Sequence, residues 1–378
     1  MRYFDANATA PLRPEARDAW LATQRDFWQN PASLSAAGVR ARDALEDCRS
    51  RLASRFGGAA EMEIVFTGGA TEANNAVLAF EAARLAAGET AAISALEHAS
   101  VREPAKKFFA AKLRVFACRA GAADFALGDG DGAPPVFLSL MAVNNETGSI
   151  LPVRALRAQT AAAGSRLHCD ATQAFGKLPP AQLAALLHGC DYVTGAAHKF
   201  GGPKGVGFVA FSKRSCPSFA GQLGGGQENF RRAGTVNLPA IAAMLAALDA
   251  AEAEIAAPAF AERAAGRDFF EREVLREISG ASVNGADFPR VWNTVSLTLP
   301  RHDNIRWLKR LEKHGFAAAA GSACSALDGG RPSPVLQALG LSPAEARRTV
   351  RVSAYWETTR EDWRALAQTF AEVSHELA

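Results

Sequence analysis

Short apolar runs and helical stretches take turns through the first two thirds of the chain, and this alternation most constrains its fold. Strand patterns occur at Glu63–Phe66, Thr90–Ser94, Arg114–Ala117, Val136–Ala142, Arg166–Cys169, Tyr192–Thr194 and Gly207–Phe211. Helical patterns occur at Glu15–Phe27 (with Pro14 as a permissive start), Arg40–Phe56, about Thr71–Ala87, 100–112, 153–163 and 180–188. Such alternation predicts a mostly parallel sheet covered by helices on both faces. After about 256 the rhythm changes. Pro258 interrupts an Ala-rich helix, and the rest reads as helix 260–278, strand Thr294–Leu299, helix 303–314, a loop around 317–333, helix 334–340, strand Val350–Ser353 and helix Arg360–Glu376. The expected organisation is a large α/β domain over 14–256 and a smaller α+β domain formed by 1–13 and 257–378.

Composition excludes several function classes. Of 378 residues, 48% are apolar and 21% charged, too apolar for intrinsic disorder. A formal charge of +3 predicts neither a nucleic-acid groove nor a polybasic membrane surface. Six cysteines, at 48, 118, 169, 190, 216 and 324, form no Cys-x-x-Cys pair, which argues against a zinc ribbon or a disulfide framework. The first residues lack an apolar signal core, and no long uncharged apolar run occurs, so a soluble cytoplasmic protein is expected. No histidine pair stands at i, i+4, Gly128-Asp-Gly-Asp-Gly132 reads as a polar turn, and no catalytic metal is expected. Gly-x-Ser-x-Gly and Walker A signatures are absent, and Gly205-Val-Gly207 lies within a strand pattern, where close packing explains it.

The most informative stretch is 166–205. One strand ends at Asp170, followed by Ala-Thr-Gln173, and another ends just before His198-Lys199. In a parallel sheet both C-terminal ends open on one crevice, where ligands bind. An amine flanked by small residues can attack a bound aldehyde, and pyridoxal phosphate (PLP) needs such a lysine together with a carboxylate at its ring nitrogen. Taken alone, these residues also suit an ordinary α/β protein. Phe66-Thr-Gly-Gly-Ala70-Thr71-Glu72 reads as strand, tight turn and helix start, a geometry that binds phosphate or simply caps a helix.

Further segments carry a resemblance. They are Tyr3-Phe-Asp-Ala-Asn7-Ala-Thr9, Glu97-His98, Val143-Asn-Asn145-Glu-Thr-Gly148, Gly224-Gly-Gly-Gln-Glu228, Arg232-Ala-Gly-Thr235, Gly321-Ser-Ala-Cys324 and Val350-Arg351-Val-Ser353. With the segments above, and in this order, the chain resembles the cysteine desulfurases of the NifS/IscS type among the class V aminotransferases. The resemblance implies the PLP-dependent transferase fold type I: a large domain with a mostly parallel seven-stranded sheet plus a smaller α+β domain carrying a mobile catalytic loop at about 317–333. It implies a homodimer that turns L-cysteine into L-alanine and passes the sulfur, as a persulfide on Cys324, to an acceptor or scaffold protein. Lys199 matches the Schiff-base lysine, Asp170 the partner of the pyridine nitrogen, and Gln173 the donor to the ring hydroxyl. Ala70 and Thr71 match the phosphate turn, His198 the phosphate-side imidazole, and Thr235 a phosphate ligand lent to the neighbouring subunit. His98 matches the ring-stacking acid/base, while Asn145 and Arg351, with Asn7, match the substrate-holding residues. A selenocysteine lyase, another class V aminotransferase-type enzyme and a degenerate non-catalytic relative remain open as alternatives. Three places depart from the pattern: Ser35 replaces a histidine, Ala196 a serine, and Ala354-Tyr355-Trp356 a small Leu-Gly pair.

Overall fold

The structure, a computed structural model, describes residues 1–56, 61–119, 125, 127, 133–258, 260–321 and 332–378. The strands in chain order are β1 (Arg2–Tyr3), β2 (Met62–Thr67), β3 (Ala91–Ser94), β4 (Leu113–Phe116), β5 (Phe137–Ser139), β6 (Arg166–Asp170), β7 (Tyr192–Ala196), β8 (Gly207–Ser212), β9 (Ser282–Val283), β10 (Thr294–Thr298), β11 (Phe316–Ala317) and β12 (Thr349–Ser353). Two compact units divide the chain. The large unit is Pro11–Ala142 with Pro152–Ala253, and the small unit is Met1–Ala10, Val143–Leu151 and Glu254–Ala378.

The large unit is built on a seven-stranded sheet in the order β2-β8-β7-β6-β5-β3-β4. Only β8 runs against its neighbours, and β3 through β7 pair in parallel. The first four α-helices of the large unit are α1 (Pro14–Asp26), α2 (Ala36–Ala53), α3 (Ala70–Arg84) and α4 (Ala99–Phe109). Helix α3 follows β2 directly and buries Ala73, Asn74, Val77 and Leu78 in a core that includes Val65, Ile93, Phe137, Tyr192 and Val209. Ser35, where the resemblance expects histidine, caps α2 by accepting the Gly38 N–H at 3.1 Å. Because β2, β3, β5, β6 and β7 run the same way, Thr67, Ser94, Ser139, Asp170 and Ala196 all end on one sheet edge.

The small unit holds the antiparallel sheet β12-β10-β9, in which Arg351 stands opposite Ser296. Its core joins Phe4, Phe270, Trp307, Trp363 and Phe370. Sequence patterns drew 14–256 as one stretch, whereas Val143–Leu151 belongs to the small unit. The reason is local: Ile150 N–H donates to the Pro289 carbonyl at 2.7 Å, Val291 N–H donates to Gly148 at 2.9 Å, and Gly148 takes φ +73° against Thr294. The two-residue strands β1, β9 and β11 have no periodic signature and escaped the sequence reading.

Gly207 fixes how closely β8 approaches the turn after β2. A Cβ there would stand 2.5 Å from the Gly195 carbonyl oxygen and 2.8 Å from Gly69 Cα, all backbone that cannot swing away. Gly207→Ala is therefore expected to destabilise the protein by about 1–3 kcal/mol, read as a lower midpoint in chemical denaturation. A variant as stable as the parent would show that the approach is loose.

Candidate active site

The edge of the large sheet carries the candidate site. The turn after β2 places Gly69 at φ +148°, a conformation suited to glycine, and α3 starts there without a side-chain cap. Its first amides therefore remain available as anion donors beside Ala70 and the exposed Thr71. Glu72 lies against that turn: its Oε2 accepts the Gly68 N–H at 2.8 Å, while Arg232, whose Nε lies 2.8 Å from Oε1, balances its charge.

Beyond β7 the chain tightens into a 3₁₀ turn, Ala197–Lys199. His198 is pushed down to about 4, first by burial and then by Lys199, Lys204 and Lys177 around it. It is a neutral imidazole among three ammonium groups, a setting that attracts an anion. Buried Lys177 donates to Gln173 Oε1, so the Gln173 amide presents Nε2 as its donor end.

Asp170 closes β6 at 4% exposure. Its Oδ1 accepts the Thr172 N–H at 2.9 Å and its Oδ2 accepts Asn74 Nδ2 at 2.8 Å. Among the described residues no basic side chain forms an ion pair with it. A buried carboxylate held by N–H donors and lacking a paired cation is the counterpart that a protonated pyridine nitrogen requires. Asn74 uses its second amide proton on Ser100 Oγ at 2.9 Å. Ser100 lies 2.8 Å from His98 Nδ1, and its backbone N–H donates to the same nitrogen at 3.1 Å. Nδ1 is thus an acceptor, and the ring proton of neutral His98 sits on Nε2. Asn74 and Ser100 tie Asp170 to His98, yet neither was singled out from sequence. The signal for Asn74 was its place on the buried stripe of α3.

The three residues matched to substrate binding meet within the small unit. Asn7 Nδ2 donates to the Asn145 carbonyl at 3.1 Å, and Arg351 Nη1 donates to the same oxygen at 3.1 Å. Arg351, 1% exposed, also pairs through Nη2 with Asp5 Oδ1 at 2.6 Å. Its Nε and the Asn145 side-chain oxygen are buried without hydrogen-bond partners among the described residues. Unpaired buried donors are costly, and a small carboxylate would satisfy this one. Asp5 was missed from sequence as the counter-charge that lets an arginine sit this deep. Thr235 is exposed on the loop before helix Leu238–Ala256 of the large unit, and Cys324 lies outside the described residues.

The aminotransferase class-V family matches residues 2–366. The chain belongs to that family. It is 35% identical to the cysteine desulfurase of Frankia sp. (strain EuIK1), over 99% of this chain and 91% of that protein. It is 33% identical to the cysteine desulfurase of Enterobacter agglomerans, over 93% of this chain and 87% of that protein. A solved structure titled NifS-like protein superposes with a TM-score of 0.82 at 27% identity, covering 100% of this chain and 99% of that one. Class-V enzymes of the cysteine desulfurase group work with PLP, and the residues here suit it. An uncapped helix start and a lysine cluster would suit its phosphate, and a buried carboxylate held by N–H donors would suit its ring nitrogen. Among the described residues no group of three or more His, Cys, Asp or Glu side chains could hold a metal, and no helix is long and apolar enough to cross a membrane.

The lowered His198 value sets a pH dependence. Between about 4 and the ordinary 6.5 the unfolded chain binds the proton and the native protein does not. Its stabilising contribution is therefore full above 6.5 and is lost as pH falls toward 4. Urea midpoints measured across that window should decline less steeply in His198→Gln than in the parent. Parallel curves would remove His198 from the balance.

Proposed function

We propose that this class-V protein is a cysteine desulfurase that binds PLP at the edge of its large sheet and releases L-alanine from L-cysteine while moving the sulfur to Cys324. The observation that supports the reading is the placement of Asp170, Gln173, His198 and Lys199 at or just past the ends of the adjacent parallel strands β6 and β7, in the unit that also holds the uncapped start of α3. Ala70, Thr71 and His198 would hold the phosphate, Gln173 the ring hydroxyl and Asp170 the ring nitrogen. When bound, the group supplies an electron sink for the charge left at the substrate α-carbon.

The remaining work falls to the chain itself. Arg351 and Asn145, steadied by Asn7 and Asp5, hold the substrate carboxylate and fix which bond to the α-carbon is exposed. Lys199 takes the α-proton at Nζ. His98 exchanges a proton with the substrate thiol at Nε2, because its Nδ1 is already engaged by Ser100. Cys324, as thiolate, attacks the substrate sulfur: a sulfur–sulfur bond forms on the enzyme and the carbon–sulfur bond of the substrate breaks. The persulfide then passes to a sulfur-acceptor protein. The exposed Thr235 supports a homodimer in which each subunit lends this hydroxyl to the other's phosphate, and a cytoplasmic setting suits the unpaired thiols.

Mass spectrometry after exposure to L-cysteine should show one added sulfur on the peptide containing Cys324. Cys324→Ser should lower alanine and sulfide production by roughly 10³-fold or more while PLP uptake stays intact. Lys199→Ala should lose the visible absorption of the loaded protein. Full sulfide release from Cys324→Ser would overturn the assignment of that thiol.

A further inference from the structure

Behind Asp170 the large unit buries a second carboxyl, Glu97, with 0% exposure and no assigned task. Between the two runs an unbroken line of polar side chains. Ser139 Oγ lies 3.2 Å from Glu97 Oε1 and 2.9 Å from His168 Nδ1. His168 Nε2 lies 3.2 Å from Thr194 Oγ1, and Thr194 Oγ1 lies 2.6 Å from Asn74 Oδ1. Asn74 reaches Asp170 and Ser100, and Ser100 reaches His98. Strand register makes the line possible, since Ser139 stands opposite His168 and Asp170 opposite Thr194.

The direction of each bond follows from the Asp170 end. An ionised Asp170 only accepts, so Asn74 turns its NH₂ toward Asp170 and its oxygen toward Thr194. Thr194 has one proton and spends it on Asn74, so it must accept from His168 Nε2–H. With its proton on Nε2, His168 accepts at Nδ1, and the one proton of Ser139 goes there. Nothing is then left for Ser139 to offer Glu97. An ionised Glu97 would face a bare oxygen at 3.2 Å, whereas a protonated one donates across that gap while still accepting the Met141 N–H at 3.0 Å.

We infer that Glu97 keeps its proton and is a positioning residue: through Ser139, His168, Thr194 and Asn74 it sends every hydrogen bond toward Asp170, leaving Asp170 as the one anion of the network and the His98 proton on Nε2. Independent features agree. The second Glu97 oxygen, Oε2, is buried without a partner among the described residues, which a neutral acid tolerates far better than a carboxylate. Burial, and then the Asp170 charge, push Glu97 up to about 8. Burial holds His168 down to about 4 against the pull of Asp170. The other titratable groups facing Glu97 are the thiols of Cys118 and Cys169, both raised by burial, and Arg102 reaches only the Glu97 backbone carbonyl. Two carboxyls in one network with opposite protonation is an arrangement by which proteins assign roles to like groups. The consequence for the cofactor rests on the reading in the previous subsection, but the proton arrangement does not.

The test uses the full-length protein at pH 7. Infrared spectroscopy should show a protonated-carboxyl band that is missing from Glu97→Gln, and ¹⁵N-histidine NMR should place the His168 proton on Nε2. An amide cannot both accept from Met141 and donate to Ser139 at a single atom. Glu97→Gln should therefore move the His168 proton to Nδ1 and, in PLP-loaded protein, lower kcat about tenfold with KM for L-cysteine unchanged. If Glu97→Gln fails to fold, Ser139→Ala interrupts the line one step further on and should shift the carboxyl band upward by removing its acceptor. A parent protein without that band, or with His168 protonated at Nδ1, would overturn the inference. So would a Glu97→Gln protein with unchanged kcat and unchanged His168. A protein that took up no PLP would instead count against the proposed function, and the infrared and NMR readouts would still decide the proton arrangement.

Discussion

A negative charge buried at the end of β6 organises the large unit. Removing the Asp170 carboxylate from water costs several kcal/mol unless donors replace its hydration, and here they come from the Thr172 backbone and the Asn74 amide. Each donor must in turn be satisfied. That requirement explains why α3 and the central strands bury Asn74, Ser139, His168 and Thr194 side by side. A partly satisfied network would cost more than an apolar core. The polar line is thus a consequence of one buried carboxylate.

The small unit solves the opposite problem. Arg351 is buried as a cation, and Asp5, three residues past the start of β1's pairing with β11, supplies its counter-charge. The Asn145 carbonyl takes a second N–H, and Asn7 holds that carbonyl from the other side. Three chain segments remote in sequence are needed to hold one guanidinium. This accounts for Val143–Leu151 leaving the sheet unit: its turn is an anchor for the arginine, and the hydrogen bonds to Pro289 and Val291 tie it there.

The strand–helix alternation and the edge residues Asp170, His198 and Lys199 were legible because period-two and helical patterns, with motifs at strand ends, are local signals. The segments around Tyr3-Phe-Asp and Val143-Asn-Asn145 were legible as motifs but not as parts of one unit, because that grouping is made by contacts between distant segments. Asn74 and Ser100 read as unremarkable helix residues, since their importance lies in what two neighbouring strands present to them. Ser35 reads as a loss when set against the family, yet locally it does what a serine before a helix does: it caps α2. Asp5 carried no sign of its partner, because a salt bridge to Arg351 spans nearly the whole chain.

Ala196 shows how such a site tolerates a departure. A serine there would add one hydroxyl toward an anion, and a bond of that kind is worth about 1.5–3 kcal/mol. The residue is buried at the end of β7, and the structure offers other sources of positive potential within the same unit. The start of α3 is uncapped, His198 is crowded by three lysines, and the charge of Glu72 is balanced by Arg232. Several weak sources of positive potential acting together are less sensitive to the loss of one than a single strong bond would be. The opposite holds at the Asp170 end, where one carboxylate does the work and every neighbour is committed to it. Substitutions at the phosphate side should therefore be graded in effect, while those along the line from Glu97 to Asp170 should act as a unit.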